Sequence, residues 1–384
     1  MLLGSLDAGG SSVVFSTAER PMKPHVSLMV ALAALALAGC GKPRPGATVT
    51  LPGPTPVPEQ KAVASKDLNI FCWSNYIPQS VINQFTKETG IKVSVANYSS
   101  NGEMLAKLMA GDTNSDLIQP GEQVVGALAK DNLLHPLDRA KIPNLRNIAP
   151  QFLNLPFDPG NRFSVPYMAG AVGIVVNTDL VKDDIRGYAD VFREKFKGRI
   201  VVLDDAREIV TWGLLTQGIP VNRVTDENLA KVKPLVSKWL PLVKLYDSDS
   251  PKTALLNGDA TIGIVWGGEG ALLLNADKKF QWVQPAEGAH LFIDSLVIPK
   301  NARNVENAQA FMNFILRPDV SRTISGAFPY LNPNLAARAL LTPAQRTNPA
   351  SFPSDLDVKK MQSFEDIGPQ AAKIDEMVTA LKGQ

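Results

Sequence analysis

The sequence predicts an α/β protein of two similar lobes, each built on a mostly parallel sheet. Three observations predict it. Short apolar runs alternate with amphipathic stretches from residue 67 onward, the alternation returns after residue 200, and no fixed-period repeat replaces it. The chain beyond residue 66 supplies about 160 residues per lobe, an ordinary domain size.

The elements follow in order. Leu68 to Cys72 is an apolar strand. Pro78 suits a helix start, Val81, Ile82 and Phe85 share one face, and Gly90 ends the helix. Ile91 to Ala96 is the next strand, and Met104, Leu105, Leu108 and Met109 form a second helical face before Gly111. Asp116 to Ile118 is a third strand, stopped by Pro120 and Gly121. Later come strand Ile200 to Leu203 with helix Glu208 to Leu215, strand Ile262 to Val265 with helix Gly270 to Ala276, and strand Leu296 to Ile298 with helix Val305 to Leu316.

The first 66 residues read differently. Lys23 and His25 precede an apolar run from Val26 to Ala38, which is short for a membrane span and fits the apolar core of an export signal. The run ends in Leu37-Ala38-Gly39-Cys40, which resembles the lipobox of bacterial lipoproteins, in which the cysteine is acylated. Residues 1–40 are therefore expected to be a lipoprotein signal with Cys40 as the lipidation site, and Met22 makes a better start than Met1. Pro43, Pro45, Pro52, Pro54, Pro56 and Pro58 make 41–66 an extended, semi-rigid linker. If Cys40 carries lipid, Cys72 has no disulfide partner and serves as a small apolar residue in the first strand.

Composition narrows the function. The chain is 45% hydrophobic and 20% charged with a formal net charge of +2, so no large basic field attracts nucleic acid. Outside the signal only His135 and His290 remain among the histidines, and H-E-x-x-H, G-x-S-x-G and phosphate-loop motifs are absent. Neither an enzyme nor a metal site is expected, and no cofactor motif is present.

Ligands on open α/β sheets sit beyond the carboxyl ends of strands. The residues found there are Trp73-Ser74-Asn75-Tyr76, Pro120-Gly121-Glu122-Gln123, Asp204-Asp205-Ala206-Arg207-Glu208 and Trp266-Gly267-Gly268-Glu269, while Phe292-Ile293-Asp294-Ser295 leads into a strand. The set is aromatic and acidic. Aromatic faces attract cations and cover methylene stems, and carboxylates pair with ammonium groups. A linear polyamine is a row of ammonium groups joined by methylenes. Blander roles compete at several positions. Asp205 and Glu208 have the spacing of a capping box, unless Asp204 caps the helix and leaves Asp205 to the cleft. Trp266 could belong to a core and Tyr330 to a loop. Glu122 and Glu269 are expected in solvent, with a place in the cleft lining as the other reading.

The segments Phe71-Cys-Trp-Ser-Asn-Tyr-Ile-Pro78, Gln84-Phe-Thr-Lys-Glu-Thr-Gly-Ile-Lys-Val93, Pro156-Phe-Asp-Pro159, Leu203-Asp-Asp-Ala-Arg-Glu208, Asp294-Ser-Leu-Val-Ile-Pro299, Asn313-Phe-Ile-Leu-Arg-Pro-Asp-Val320 and Asn332-Pro-Asn-Leu-Ala-Ala-Arg338 resemble the spermidine/putrescine-binding proteins of ABC importers. The resemblance runs through nearly all of residues 67–345. It implies the two-lobed periplasmic-binding-protein fold (type II), with lobe one at 67–170 and 294–338 and lobe two at 171–293 and 339–384. It also implies a monomer that binds a polyamine between its lobes, outside the cytoplasm, and hands it to transporter permease subunits. The ligand positions it implies are Trp73, Ser74, Tyr76, Gly121, Gln123, Asp205, Glu208, Trp266, Phe292, Asp294 and Tyr330. Asn75 stands where relatives can carry Glu, Gly121 and Gln123 replace Ser and Tyr, Phe292 replaces Trp, and Phe364 replaces a Gln, with Gln362 nearby. A binding protein of the same architecture for an amino acid, a monoamine or ferric ion is the nearest other reading, followed by an exported enzyme or a signalling receptor. Three carboxylates, Asp205, Glu208 and Asp294, favour spermidine over putrescine.

Overall fold

The computed structural model describes residues 65–111 and 114–383. The expected signal, Cys40 and nearly all of the linker lie outside the described residues.

Nine strands form one sheet: β1 Asp67–Trp73, β2 Lys92–Tyr98, β3 Leu117–Ile118, β4 Ser164–Asn177, β5 Ile200–Val202, β6 Val243–Tyr246, β7 Ile262–Trp266, β8 Phe280–Val283 and β9 Leu291–Val297. Their order is β2-β1-β3-β9-β4-β7-β5-β6, with β8 also pairing β4. The two ends of the sheet are parallel, β2-β1-β3 on one side and β7-β5-β6 on the other. The middle is antiparallel, because β9 runs against β3 and β4, and β4 runs against β7 and β8. The expectation of two mostly parallel sheets is corrected on this point. A long antiparallel pair, β4 with β9, carries the chain from one half to the other.

β4 is the element the sequence pattern concealed. All of its 14 residues are buried. Its apolar run contains Pro166, Gly170 and Gly173, which read as strand breakers, yet here each fits. Pro166 sits beside a register shift against β9. A Cβ at Gly170 would lie 2.5 Å from the Phe292 ring, so glycine lets that ring pack flat on the strand. Asp158 fixes the start of β4 by accepting from the Arg162, Phe163 and Ser164 amides and the Ser164 hydroxyl.

Helices cover the sheet as the apolar spacing requires. Helix Gln79–Thr89 starts behind Pro78, buries Val81, Ile82 and Phe85, and ends at Gly90 with φ 73°. Phe85 meets Phe311 edge to face at 5.0 Å. Helix Asn101–Met109 buries Met104, but Met109, expected on the same face, is 73% exposed. Helices Glu122–Lys130, Ala206–Thr216 and Gly267–Ala276 follow β3, β5 and β7. The C-terminal helix Gln370–Lys382 buries Ile374, Val378 and Leu381 in the core that also holds Trp212 and Trp239. Leu68, Ile70, Phe85, Phe311 and Leu296 centre the other main core. Cys72 is free and buried, and burial pushes its thiol up to about 12, which suits an inert apolar role.

Candidate functional site

The carboxyl ends of β1, β3, β5 and β7 converge on one cavity with about 660 Å³ of empty space, its open mouth included. All eleven residues named as ligand positions line it. So do Glu122 and Phe364, considered from the sequence but not assigned to the ligand, and His290 and Asp249.

Local structure explains the placement. β1 ends at Trp73, and the turn beyond it presents Ser74 and Tyr76. Asn75 takes φ 55° and is exposed, a left-handed position that asparagine tolerates well. Asn75 therefore shapes the turn and does not line the cavity, although it stands where relatives can carry Glu. Gly121, Asp205 and Trp266 are the N-caps of the helices after β3, β5 and β7. Helix N-termini disfavour cations, but Glu122 and Glu208 occupy the first turns of two of these helices and reverse the local sign. Phe292 and Asp294 lie within β9 rather than before it, so that expectation is corrected as well. Two residues apart, they share one face of the strand, and His290 continues that face just before the strand begins.

The aromatic residues form a continuous wall. Ring centroids are 6.4 Å apart for Trp73 and Tyr76, 5.3 Å for Tyr76 and Tyr330, 6.0 Å for Tyr330 and Phe292, and 5.4 Å for Phe292 and Trp266. The Trp266 indole N–H donates to the Ser248 carbonyl at 2.9 Å, which locks its ring at the cavity. Gly268 makes room for Tyr330, since a Cβ there would lie 2.5 Å from that ring.

The carboxylates differ in their partners. Asp294 is 4% exposed and accepts from the neutral Tyr76 hydroxyl at 2.9 Å. Burial pushes its carboxyl up to about 7; the Tyr76 bond opposes this and the Glu122 charge adds to it. Asp205 caps its helix by accepting from the Glu208 amide at 3.0 Å, so the cap is Asp205 and not Asp204, which pairs with Lys382. Burial, aided by the Glu208 charge, pushes Asp205 up to about 6. Glu208 does not complete the capping box. Its side chain bonds His290 instead, at 2.5 Å.

Glu122 and Glu269 were expected in solvent and are buried. Glu122 accepts from the Ile293 and Phe364 amides and bonds His290, while Glu269 pairs with Lys252 at 2.8 Å away from the cavity lining. Gln362 accepts from the Val221 amide at 3.2 Å, and Phe364 rather than Gln362 faces the cavity. Four buried polar atoms of lining residues have no protein partner among the described residues: Trp73 Nε1, Gln123 Oε1, Glu208 Oε2 and Ser248 Oγ. Groups of this kind suit a polar ligand. Among the described residues no His, Cys, Asp and Glu cluster could hold a metal ion.

The pairing of His290 with Glu122 and Glu208 escaped sequence reasoning because burial and pairing are long-range facts. His290 and Glu122 lie 168 residues apart. A signal was nonetheless present, since stepping back by two from Asp294 gives Phe292 and then His290.

The profile of the bacterial extracellular solute-binding proteins matches residues 80–353. The spermidine/putrescine-binding periplasmic protein of Salmonella typhimurium is 35% identical over 317 residues, covering 82% of this chain and 91% of that protein. A putative spermidine/putrescine ABC transporter structure from Listeria monocytogenes superimposes with a TM-score of 0.80 at 30% identity, covering 83% of this chain and 99% of that one. A lipoprotein structure from Treponema pallidum gives a TM-score of 0.74 at 27% identity, covering 83% and 100%. The fold is the two-lobed α/β fold of periplasmic binding proteins. This chain belongs to the family of bacterial extracellular solute-binding proteins.

Proposed function

We propose that the cavity binds a linear polyamine, spermidine or putrescine, and that the protein delivers it to the permease subunits of an ABC importer. One observation carries this reading: Asp294 is a buried carboxylate whose hydrogen-bond partner is a neutral hydroxyl, set against a wall of five aromatic rings. An ammonium group would supply the missing charge, and methylenes would lie along the rings. Ser74, Gly121, Gln123, Asp205 and Glu208 complete the site in this reading. Gly121 keeps its floor low, since a Cβ there would sit 3.2 Å from Gln123 Oε1 and 3.7 Å from Asp294 Oδ1.

The two lobes, 67–170 with 294–338 and 171–293 with 339–384, would close on the ligand about the β4–β9 pair. Cys40 would carry lipid and hold a monomer at the membrane outside the cytoplasm, and the protein would act by binding rather than by catalysis. Calorimetric titration with both amines tests the ligand, and binding of neither would end the reading. Cys40→Ser should move the protein from membrane to soluble fractions, and an unchanged distribution would remove the anchor.

A further inference from the structure

His290 stacks on Phe364 with ring centroids 3.5 Å apart and planes 9° apart. Its two nitrogens meet two different carboxylates, Nδ1 at 2.5 Å from Glu208 Oε1 and Nε2 at 2.8 Å from Glu122 Oε1. With a carboxylate oxygen accepting at each ring nitrogen, both nitrogens would carry hydrogen, which makes the ring an imidazolium. Burial opposes the charge, but the Glu208 and Glu122 carboxylates outweigh it and hold the imidazole up at about 10. The acceptors are themselves fixed, since Glu122 takes the Ile293 and Phe364 amides at 3.0 and 2.9 Å. Asp205 and Asp294 add negative charge around the ring. Arg207 stands 4.7 Å from the Phe364 ring centroid but directs its hydrogen bonds to Val221 and Asn222.

The three residues come from separate parts of the fold. Glu122 opens the helix after β3, Glu208 lies in the first turn of the helix after β5, and His290 precedes the crossing strand β9. A charged side chain thus sits at the cavity, held between carboxylates from both halves of the sheet, where a ligand ammonium could otherwise sit.

We propose that His290 is a specificity-determining residue, a resident cation that takes the place of one ligand ammonium between Glu122 and Glu208 and tunes the cavity toward amines of lower charge. The proposal rests on the polyamine reading above. Of the three carboxylates credited with binding a three-charge amine, Glu208 already serves His290 through one oxygen. Removing the imidazolium leaves one more negative charge in the site. A third ligand charge about 8 Å away, at an effective dielectric constant of about 30, then gains about tenfold in affinity.

The test is calorimetry at pH 8 with putrescine and spermidine on wild type, His290→Gln and the double variant Glu122→Gln/His290→Gln. The spermidine-to-putrescine affinity ratio should rise about tenfold in His290→Gln and return to within about threefold of wild type in the double variant, which restores the charge balance. If both affinities fall together at a fixed ratio, His290 is structural and the proposal is overturned while the polyamine reading stands. If wild type binds neither amine, the polyamine reading fails and the selectivity claim with it. Nitrogen NMR of the wild-type ring at pH 8 covers variants that do not fold. Two protonated ring nitrogens are expected, and a neutral ring overturns the proposal.

Discussion

Two carboxylate positions in one cavity have opposite electrostatics. At Asp294 the carboxyl is buried, faces a neutral hydroxyl and is pushed up to about 7. At Glu208 the carboxylate already has a cation, the His290 ring, which it shares with Glu122. The first has no bonded cation until a ligand brings one, whereas the second already holds a cation on one oxygen and leaves only Oε2 without a protein partner. Counting acidic side chains therefore overstates the positive charge the site requires. What matters is which of them lack a partner.

The largest effect is expected from Asp294→Asn. Removing one partner from a desolvated ion pair costs about 3–5 kcal/mol, so polyamine affinity should fall by about a hundredfold or more. The same change should help the empty protein. A carboxyl pushed above its unfolded value of 3.8 to about 7 takes up a proton on folding. Its neutral form is favoured below that range, and ionising it destabilises the folded state as pH rises toward about 7. Ligand-free Asp294→Asn should therefore melt higher than wild type at pH 8. A lower melting temperature with unchanged affinity would remove Asp294 from the site.

The second expectation is the pH dependence of binding. A ligand ammonium favours the ionised Asp294, so binding below pH 7 must expel a proton. Affinity should fall by up to about tenfold per pH unit below 7, and the calorimetric heat should depend on the buffer's ionisation enthalpy. A flat profile between pH 5.5 and 8 would show that Asp294 does not change protonation on binding.

His290 acts in the same direction on stability but in a higher window. Its folded value, about 10, exceeds the ordinary imidazole value of 6.5, so its stabilisation is full below about pH 6.5 and is lost as pH rises through about 10. The melting temperature of the ligand-free protein should decline from pH 7 to 10, and His290→Gln should flatten that decline.

Smaller effects separate stacking from capping. Trp266→Ala removes one face of the aromatic wall and should weaken both amines by about 1–2 kcal/mol. Asp205→Ala should lower stability by about 1 kcal/mol through the lost cap, whereas Asp205→Asn keeps a good cap and should lower affinity alone. Equal stability losses in the two variants would show that the charge, not the cap, supports the helix.

Much of this arrangement was legible in the chain. The strands at Leu68, Ile200 and Ile262 are short, mostly apolar runs, and the residues just beyond them reach one cavity because the carboxyl ends of each half's parallel strands line it. β4 was hidden because its proline and glycines look like breaks until the rings they accommodate are known. Glu122 looked solvent-bound because its partners, His290 and the Ile293 and Phe364 amides, are supplied by tertiary structure alone. Asn75 looked like a lost ligand group and is a left-handed turn residue.

Binding, as proposed above, turns on a linear cation that completes Asp294. Titrating wild type and Asp294→Asn with spermidine at pH 8, in one calorimetric series, tests it most directly. One ligand per wild-type chain is expected, with a loss of about a hundredfold or more in the variant. Equal affinities in the two proteins, or no binding to wild type, would contradict it.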